Sequence, residues 1–94
     1  MELDPLLVKH REEIIRIAAK HGAKNVRVVG DFARGDQRSE SAVELLVDPG
    51  PVLTPWFPGG LMADLKDLLG RDVYVGTEIH EVFRDFILKD AVPL

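Results

Sequence analysis

Hydrophobic and polar residues recur with two different periods along the chain, and the two periods predict its helices and strands. Apolar residues three or four positions apart predict helices, whereas alternating or β-branched runs predict strands. The predicted elements, in chain order, are a helix over 5–21, a strand over 25–29, a turn with a short helical segment over 30–35, a strand over 42–47, a surface loop over 48–60, a helix that carries Leu61, Leu65, Leu68 and Leu69 and ends at Gly70, a strand over 72–75, and a last helix from Thr77 to near Asp90.

The order of these elements predicts an α+β fold class. We expect a two-layer domain, in which helices pack on a small mixed β-sheet, with residues 1–94 forming a single domain. Side chains alternate between the two faces of a strand. On the second strand, one face therefore carries Ala42, Glu44 and Leu46, and the more apolar face, which we expect to meet the core, carries Val43, Leu45 and Val47. Glu44 is placed on the face that is free for chemistry.

Two aromatic residues, Trp56 and Phe57, stand in the loop over 48–60 among four prolines and three glycines. One interpretation is that they fold back and cover the sheet or the next helix; the other is that they form an anchor for a binding partner. The first is favoured, because a small core needs every aromatic side chain it can bury.

The three histidines do not indicate a metal site or a hydrolase triad. His10, His21 and His80 lie in different helical segments at no ligand spacing, and no histidine neighbours Ser39 or Ser41 in the sequence. Exposed histidines on helix surfaces are the expectation for all three.

Composition narrows the range of partners. The formal net charge is −4, and the twelve Lys and Arg residues are scattered, so nothing predicts a nucleic-acid-binding surface. The absence of cysteine excludes disulfides, thiolate catalysis and Cys-ligated zinc. No apolar run approaches the ~20 residues of a membrane span, and the start MELDPLL does not read as a signal peptide. We expect a cytoplasmic protein with neither nucleic acid nor membrane as partner.

The stretch from Val28 to Asp48, VVGDFARGDQRSESAVELLVD, combines a strand, a glycine turn, a short helix, a polar loop and a second strand with an acid. It resembles the signature of the minimal nucleotidyltransferases, the single-domain branch of the DNA polymerase beta-like nucleotidyltransferase superfamily. That signature is G-S-x-A-x-G, followed by S-D-x-D and an apolar strand. The ending GRDVYV…ILKDAVPL is also similar to the usual end of that family. The resemblance covers nearly the whole chain and implies the nucleotidyltransferase fold.

The resemblance also implies a site that holds Mg²⁺ on three carboxylates and a nucleoside triphosphate such as ATP on the glycine turn. The nucleotide-binding positions it implies are Gly30, Asp31, Arg34, Gly35 and Ser41. Gly30, Ala33, Gly35 and Ser41 match the signature. The chain departs from it elsewhere: Asp31 replaces the serine, Ala42 and Tyr74 occupy the first and third acid positions, and Glu44 replaces the second acid.

Asp31 has two interpretations. As a carboxylate facing phosphates it repels them, by about 1 kcal/mol at ~4 Å in water and about 4 kcal/mol at an effective dielectric constant near 20. As an ordinary N-cap it satisfies the first N–H groups of the short helix, which is the interpretation we favour. A rearranged site in which Glu44 and Asp31 hold one weak Mg²⁺ is the alternative.

Three functions follow from the resemblance. The favoured one is a non-catalytic protein with a degenerate metal site, an antitoxin-type partner of an all-helical HEPN-type protein, which binds that protein or its own copy through the Trp56–Phe57 loop, the last helix and the apolar tail. The second is nucleotide sensing without turnover. The third is an active Mg²⁺-dependent nucleotidyltransferase that uses Glu44 and Asp31 to transfer AMP from ATP to a protein.

Overall fold

The N-terminal helical segment is two helices rather than the single one that its apolar spacing predicts. In a computed structural model, which describes residues 3–77 and 87–94, α1 spans Pro5–Lys9 and α2 spans Arg11–Lys20, with a break at His10. The predicted start is confirmed: the Asp4 side chain accepts a hydrogen bond of 2.8 Å from the Leu6 amide. The C-terminal boundary of α2 is also confirmed at His21, and Gly22 follows with a φ of 92°.

Apart from the short strand at the C-terminus, the remaining elements agree with the predicted order and shift at their ends by one or two residues. They are β1 (Ala23–Val29), α3 (Asp31–Arg34), β2 (Val43–Pro49), α4 (Gly59–Leu69), β3 (Val73–Gly76) and β4 (Val92–Pro93). Gly70, with a φ of 71°, ends α4 as predicted. The short strand β4 was not predicted. The predicted last helix falls largely on residues 78–86, outside the described residues, as does His80.

The sheet is mixed, as predicted. Its strand order is β3-β2-β1-β4, with β2 antiparallel to β1 and parallel to β3. The parallel pair needs a crossover, which α4 provides between β2 and β3. Helix α2 packs on β1, α4 packs on β3, and the two helices contact each other, so they form a second layer on one face of the sheet.

The core lies between these two layers. The face of β2 predicted to meet the core does so, since Val43, Leu45 and Val47 are all buried. Glu44 is exposed, as expected for the opposite face. Leu46 shares the face of Glu44 but is also buried, between its register neighbours Arg27 and Gly76. Alternation therefore predicts the buried face of β2 but not this second buried position.

The Pro-rich loop between β2 and α4 is fixed to the rest of the fold by a buried histidine. Nδ1 of His21 lies 2.7 Å from the Thr54 hydroxyl oxygen, and Nε2 lies 2.7 Å from a carboxylate oxygen of Asp64. Because a carboxylate only accepts, Nε2 is the donor in the second bond. The hydrogen bond from His21 lowers the pKa of Asp64 below its usual value. The expectation of an exposed His21 is therefore wrong, because sequence spacing does not show that Thr54 of this loop and Asp64 of α4 come to the imidazole.

The two loop aromatics have different fates. Phe57 packs against the core, as the favoured interpretation predicts. Trp56 is 93 % exposed, so the prediction that it covers the sheet or the next helix is wrong. Within the described residues, the hydrogen bonds that hold the loop are made by its backbone and by Thr54, and the indole takes part in none of them.

Among residues 3–77 and 87–94, no helix has the length and apolar character needed to cross a bilayer.

Candidate active site

The glycine turn after β1 is shaped by the backbone of Gly30 and by the side chain of Glu44. Gly30 has φ 71° and ψ −150°, a conformation that is essentially restricted to glycine. A Cβ atom at this position would overlap with a carboxylate oxygen of Glu44. Glu44 pairs in register with Val29 on the neighbouring strand, which brings its side chain over the turn. The turn and the only acid of the signature that is retained on β2 are thus in direct contact.

Asp31 does not cap α3. The N-cap residue is Gly30, and no side chain makes a capping hydrogen bond there, so the N-cap interpretation of Asp31 is wrong. The carboxylate instead accepts a hydrogen bond of 2.8 Å from the Arg34 guanidinium and one of 3.1 Å from the Ser41 hydroxyl. Asp31 is the first helical residue rather than the residue before it, so its side chain is directed at the polar loop.

Arg34 compensates the charge of Asp31. The guanidinium lies 2.8 Å from the Asp31 carboxylate and 3.4 Å from that of Asp36. Arg34 therefore belongs to an ion-pair cluster at the turn, and the repulsion between Asp31 and an incoming phosphate is smaller than the bare charge of Asp31 predicts. The guanidinium that the family resemblance assigns to nucleotide binding is therefore paired with two carboxylates.

Arg71 is a site residue that the sequence interpretation did not include. Its guanidinium donates a 2.8 Å hydrogen bond to the Ser41 backbone oxygen and lies 5.0 Å from the centre of the buried Phe32 ring. It thus joins the segment before β3 to α3 and to the polar loop before β2. The only signal in the sequence is the basic residue after Gly70, in GRDVYV.

The three positions at which the resemblance places metal-binding acids are adjacent in the fold. Glu44 pairs in register with Tyr74 on the parallel strand β3, and Ala42 is the residue directly before β2, two positions from Glu44. Tyr74 is 55 % exposed. Val43 donates a 2.9 Å backbone hydrogen bond to the Asp72 oxygen, which fixes the start of the parallel pair. Glu44 is the one carboxylate among these three side chains.

The candidate residues line two different cavities. One, of about 260 Å³, is lined by Val29, Gly30, Arg34, Glu44 and Ile87. The other, of about 590 Å³, is lined by Asp31, Asp36, Arg38, Glu40 and Ser41. Gly35, with a φ of 77°, ends α3. Glu44 and Asp31 therefore face different cavities, which does not favour a shared ion.

No protein-family model matches the chain. A protein of Methanocaldococcus jannaschii named "putative protein adenylyltransferase" is 34% identical over 84 residues, which cover 87% of this chain and 90% of that protein. A solved structure described as a "putative minimal nucleotidyltransferase" is 36% identical and superposes with a TM-score of 0.81 over 94% of this chain and 92% of that one. The chain belongs to the minimal nucleotidyltransferase family.

A second solved structure similar to this minimal nucleotidyltransferase is described as a toxin-antitoxin with AMP-PNP. It is 16% identical, with a TM-score of 0.73 over 87% of this chain and 69% of that chain. At this identity the likeness shows the fold alone. The predicted α+β nucleotidyltransferase fold is thus confirmed both by the strand order of the sheet and by these superpositions.

The donors of this minimal nucleotidyltransferase do not fit a two-ion Mg²⁺ site. Mg²⁺ takes oxygen ligands, and a pair of ions needs carboxylates that bridge or flank them. Within residues 3–77 and 87–94, no three His, Asp or Glu side chains converge as a metal site would require. At the strand face, Glu44 has a methyl group and a phenol for its neighbours at the acid positions. We derive no catalytic step through Mg²⁺ from this arrangement.

Proposed function

We propose that this minimal nucleotidyltransferase is a non-catalytic binding protein, an antitoxin-type member whose partner is an all-helical protein of the HEPN type. One observation carries the proposal. The positions to which the family resemblance assigns metal-binding acids lie close together, since Glu44 pairs with Tyr74 and Ala42 is two residues before Glu44, yet only one of the three side chains is a carboxylate. A fold that keeps its geometry without its ligands is suited to binding rather than to phosphoryl chemistry.

The face of Glu44 and Tyr74 is the surface we assign to the partner. A member of the family that modifies its partner must bring that partner to this face, and a non-catalytic member retains the same access. Both side chains are exposed, and aromatic residues are enriched at protein interfaces. The toxin-antitoxin description of the second structural neighbour supports a protein partner.

Nucleotide sensing without turnover is the second candidate. The cavity beside Gly30 and Arg34 favours it, as does the AMP-PNP in the description of the second structural neighbour. Against it, the cavity of about 260 Å³ is smaller than the roughly 300–1,000 Å³ of most small-molecule sites. An active enzyme that uses Glu44 with Asp31 has less support, because these two acids line different cavities.

Isothermal titration with ATP tests the loss of the metal site. We expect no Mg²⁺-dependent heat from the wild-type chain up to about 1 mM ATP. A dissociation constant of about 1 mM corresponds to a binding free energy of about −4 kcal/mol, so any binding is weaker than that. The double substitution Ala42→Asp with Tyr74→Asp places two carboxylates beside Glu44, and we expect it to gain Mg²⁺ binding at least in part. Addition of Glu44→Gln to this variant is the matched control and abolishes the gain. Micromolar, Mg²⁺-dependent binding by the wild type would contradict the proposal.

Co-expression tests the partner. We expect the tagged chain to co-elute at a fixed ratio with a helical protein encoded beside its gene, and Tyr74→Lys to weaken that complex by at least about tenfold, because it replaces an exposed aromatic with a charge. Val8→Ser, at an exposed apolar position on α1, is the control and leaves the complex unchanged. If the chain elutes alone and also fails to bind ATP, the hypothesis of a helical partner is contradicted, whereas the hypothesis that the metal site is lost still stands.

A further inference from the structure

The loop between β2 and α4 presents a tip of three apolar side chains, Val52, Leu53 and Trp56, which we call the apolar tip. Their exposed fractions are 79 %, 40 % and 93 %. Exposed apolar residues are common singly, but three within the five positions 52–56 of one loop, a tryptophan among them, are typical of a binding surface. The tip is therefore a candidate interaction surface.

The backbone of the loop holds the apolar tip in place. Gly50 donates a 2.7 Å hydrogen bond to the Gly22 oxygen, and Thr54 donates one of 3.3 Å to the His21 oxygen. At the tip itself, the Gly59 amide donates a 2.8 Å hydrogen bond to the Trp56 oxygen. The indole is thus displayed on an ordered turn, which reduces the entropy that binding must overcome.

Trp56 occupies a backbone conformation that costs stability. Its φ is 62°, in the left-handed region that glycine adopts readily and that large side chains adopt at a cost. The turn therefore holds a residue that is neither buried nor suited to its backbone. Binding through the indole accounts for a tryptophan at this position, whereas folding does not.

The chemistry of the tip indicates a receptor that is mostly apolar. Residues 49–63 contain no Asp, Glu, Lys, Arg or His, whereas charged residues make up 30% of the chain as a whole. A partner that binds this segment gains nothing from ion pairs and must provide an apolar pocket for the indole.

The same chain contains such a pocket. A groove of about 230 Å³ lies between α2 and the outer edge of β1. Most of its walls are apolar, among them Ile15, Ala19, Val26 and Leu94, and Lys24 and Asn25 also line it. A benzene ring fills an apolar cavity of ~150 Å³. An indole has nine ring atoms against the six of benzene, so a volume near one and a half times larger suits it. The groove therefore has a volume suited to an indole and a mostly apolar lining.

The groove also adjoins an open strand edge and the base of the tip. Strand β4 pairs with β1 at Arg27 and Val28, and among the described residues no strand covers the β1 edge before them. The loop packs on Gly22, where a Cβ atom would overlap with the Val52 backbone oxygen. Gly22 leads directly into Ala23, which lines the groove. The base of the apolar tip and the groove therefore meet at the turn formed by Gly22 and Ala23.

We propose that two copies of this chain associate by inserting Trp56 of each copy into the groove of the other. A pair of knob-and-groove contacts related by a two-fold axis is self-complementary and closed, unlike a head-to-tail chain. The family resemblance already offers binding to a second copy through the Trp56–Phe57 loop as an alternative, and the structure adds the groove that receives the indole. The proposal is independent of the proposed function, because it involves neither nucleotide nor helical partner and uses a different surface from Glu44 and Tyr74.

Trp56 is the one tryptophan of the chain, so its fluorescence reports the proposed contact directly. The purified chain is measured by sedimentation equilibrium and by fluorescence from about 1 μM to about 1 mM, the range of small interfaces. We expect the mass to rise from 10.5 kDa to twice that value as the emission shifts to the blue. Trp56→Ala and Ala19→Glu should each raise the dissociation constant at least about thirtyfold. Val8→Ser is the control and leaves association unchanged.

Mixing the two variants separates this contact from other modes of association. The Ala19→Glu copy retains its indole and the Trp56→Ala copy retains its groove, so the equimolar mixture regains one contact and part of the blue shift. A chain that stays monomeric with an accessible indole at every concentration would overturn the proposal. So would dimers that persist in Trp56→Ala, or a blue shift that requires lipid vesicles or another protein. Circular dichroism of each variant checks that the fold is unchanged.

Discussion

Gly30→Ala is expected to lower the free energy of unfolding by about 3 kcal/mol, since two costs combine at one position. The backbone conformation, φ 71° with ψ −150°, is one in which a non-glycine residue loses roughly 1–3 kcal/mol. The added methyl group also overlaps with the carboxylate of Glu44, which must rotate away from the turn. Chemical denaturation of both proteins measures the difference.

A double-mutant cycle separates the two costs of Gly30→Ala. In a Glu44→Ala background the overlap is absent, so the substitution should cost about 1 kcal/mol less and leave the backbone strain. Gly59→Ala is the matched control, because nothing lies within 4 Å of a Cβ atom there. It should change the stability by less than about 0.5 kcal/mol. A loss below about 1 kcal/mol for Gly30→Ala would show that the turn adapts easily to a side chain.

His21→Ala is the second substitution with a large expected effect, again about 3 kcal/mol of stability. It removes a hydrogen bond to Thr54 and a charge-assisted hydrogen bond to Asp64, and it leaves a space where a buried ring was. Thermal unfolding should show a midpoint lower by more than about 10 °C in a chain of this size.

The single-bond variants Thr54→Val and Asp64→Asn apportion the loss at His21. Each should cost about 1 kcal/mol, less than the histidine itself, since the imidazole stays in place. If His21→Ala unfolds at the wild-type temperature, the histidine does not anchor the loop. The control His10→Ala removes only a 3.4 Å contact with Glu13 at the surface of α2 and should have a smaller effect.

The sequence predicts those parts of this fold that depend on local signals. The N-cap at Asp4 and the glycine ends at Gly22 and Gly70 are recognisable because capping chemistry involves neighbouring residues. The alternation that buries Val43 is recognisable for the same reason. The break at His10 was missed, since the apolar spacing continues through it.

The features that the sequence does not predict are contacts between distant residues. His21 is buried because Thr54 and Asp64, 33 and 43 positions away, come to it. Strand β4 exists because Pro93 reaches Arg27. At the candidate site, the family pattern predicts the adjacency of Glu44 and Tyr74. It does not predict that Arg34 pairs with Asp31 or that Arg71 donates to the Ser41 backbone, because these contacts depend on how the loops fold. The assignment of the site residues to a function stays a prediction.

The short strand β4 has a consequence for the order in which the molecule assembles and opens. It joins β1 through two residue pairs, 64 and 66 positions apart, and through the hydrogen bond from the Leu94 amide to the Val26 oxygen. Strands β1 and β2, by contrast, pair at a separation of only 17 positions between Val28 and Leu45. Closing so long a loop costs chain entropy, and only a few hydrogen bonds offset that cost. Strand β4 is therefore expected to pair late in folding and to open first in local fluctuations. The outer wall of the groove, formed by Pro93 and Leu94, is therefore its least stable part. An occupant of the groove contacts this edge, so we expect its binding to slow the hydrogen exchange of the backbone amides near β4.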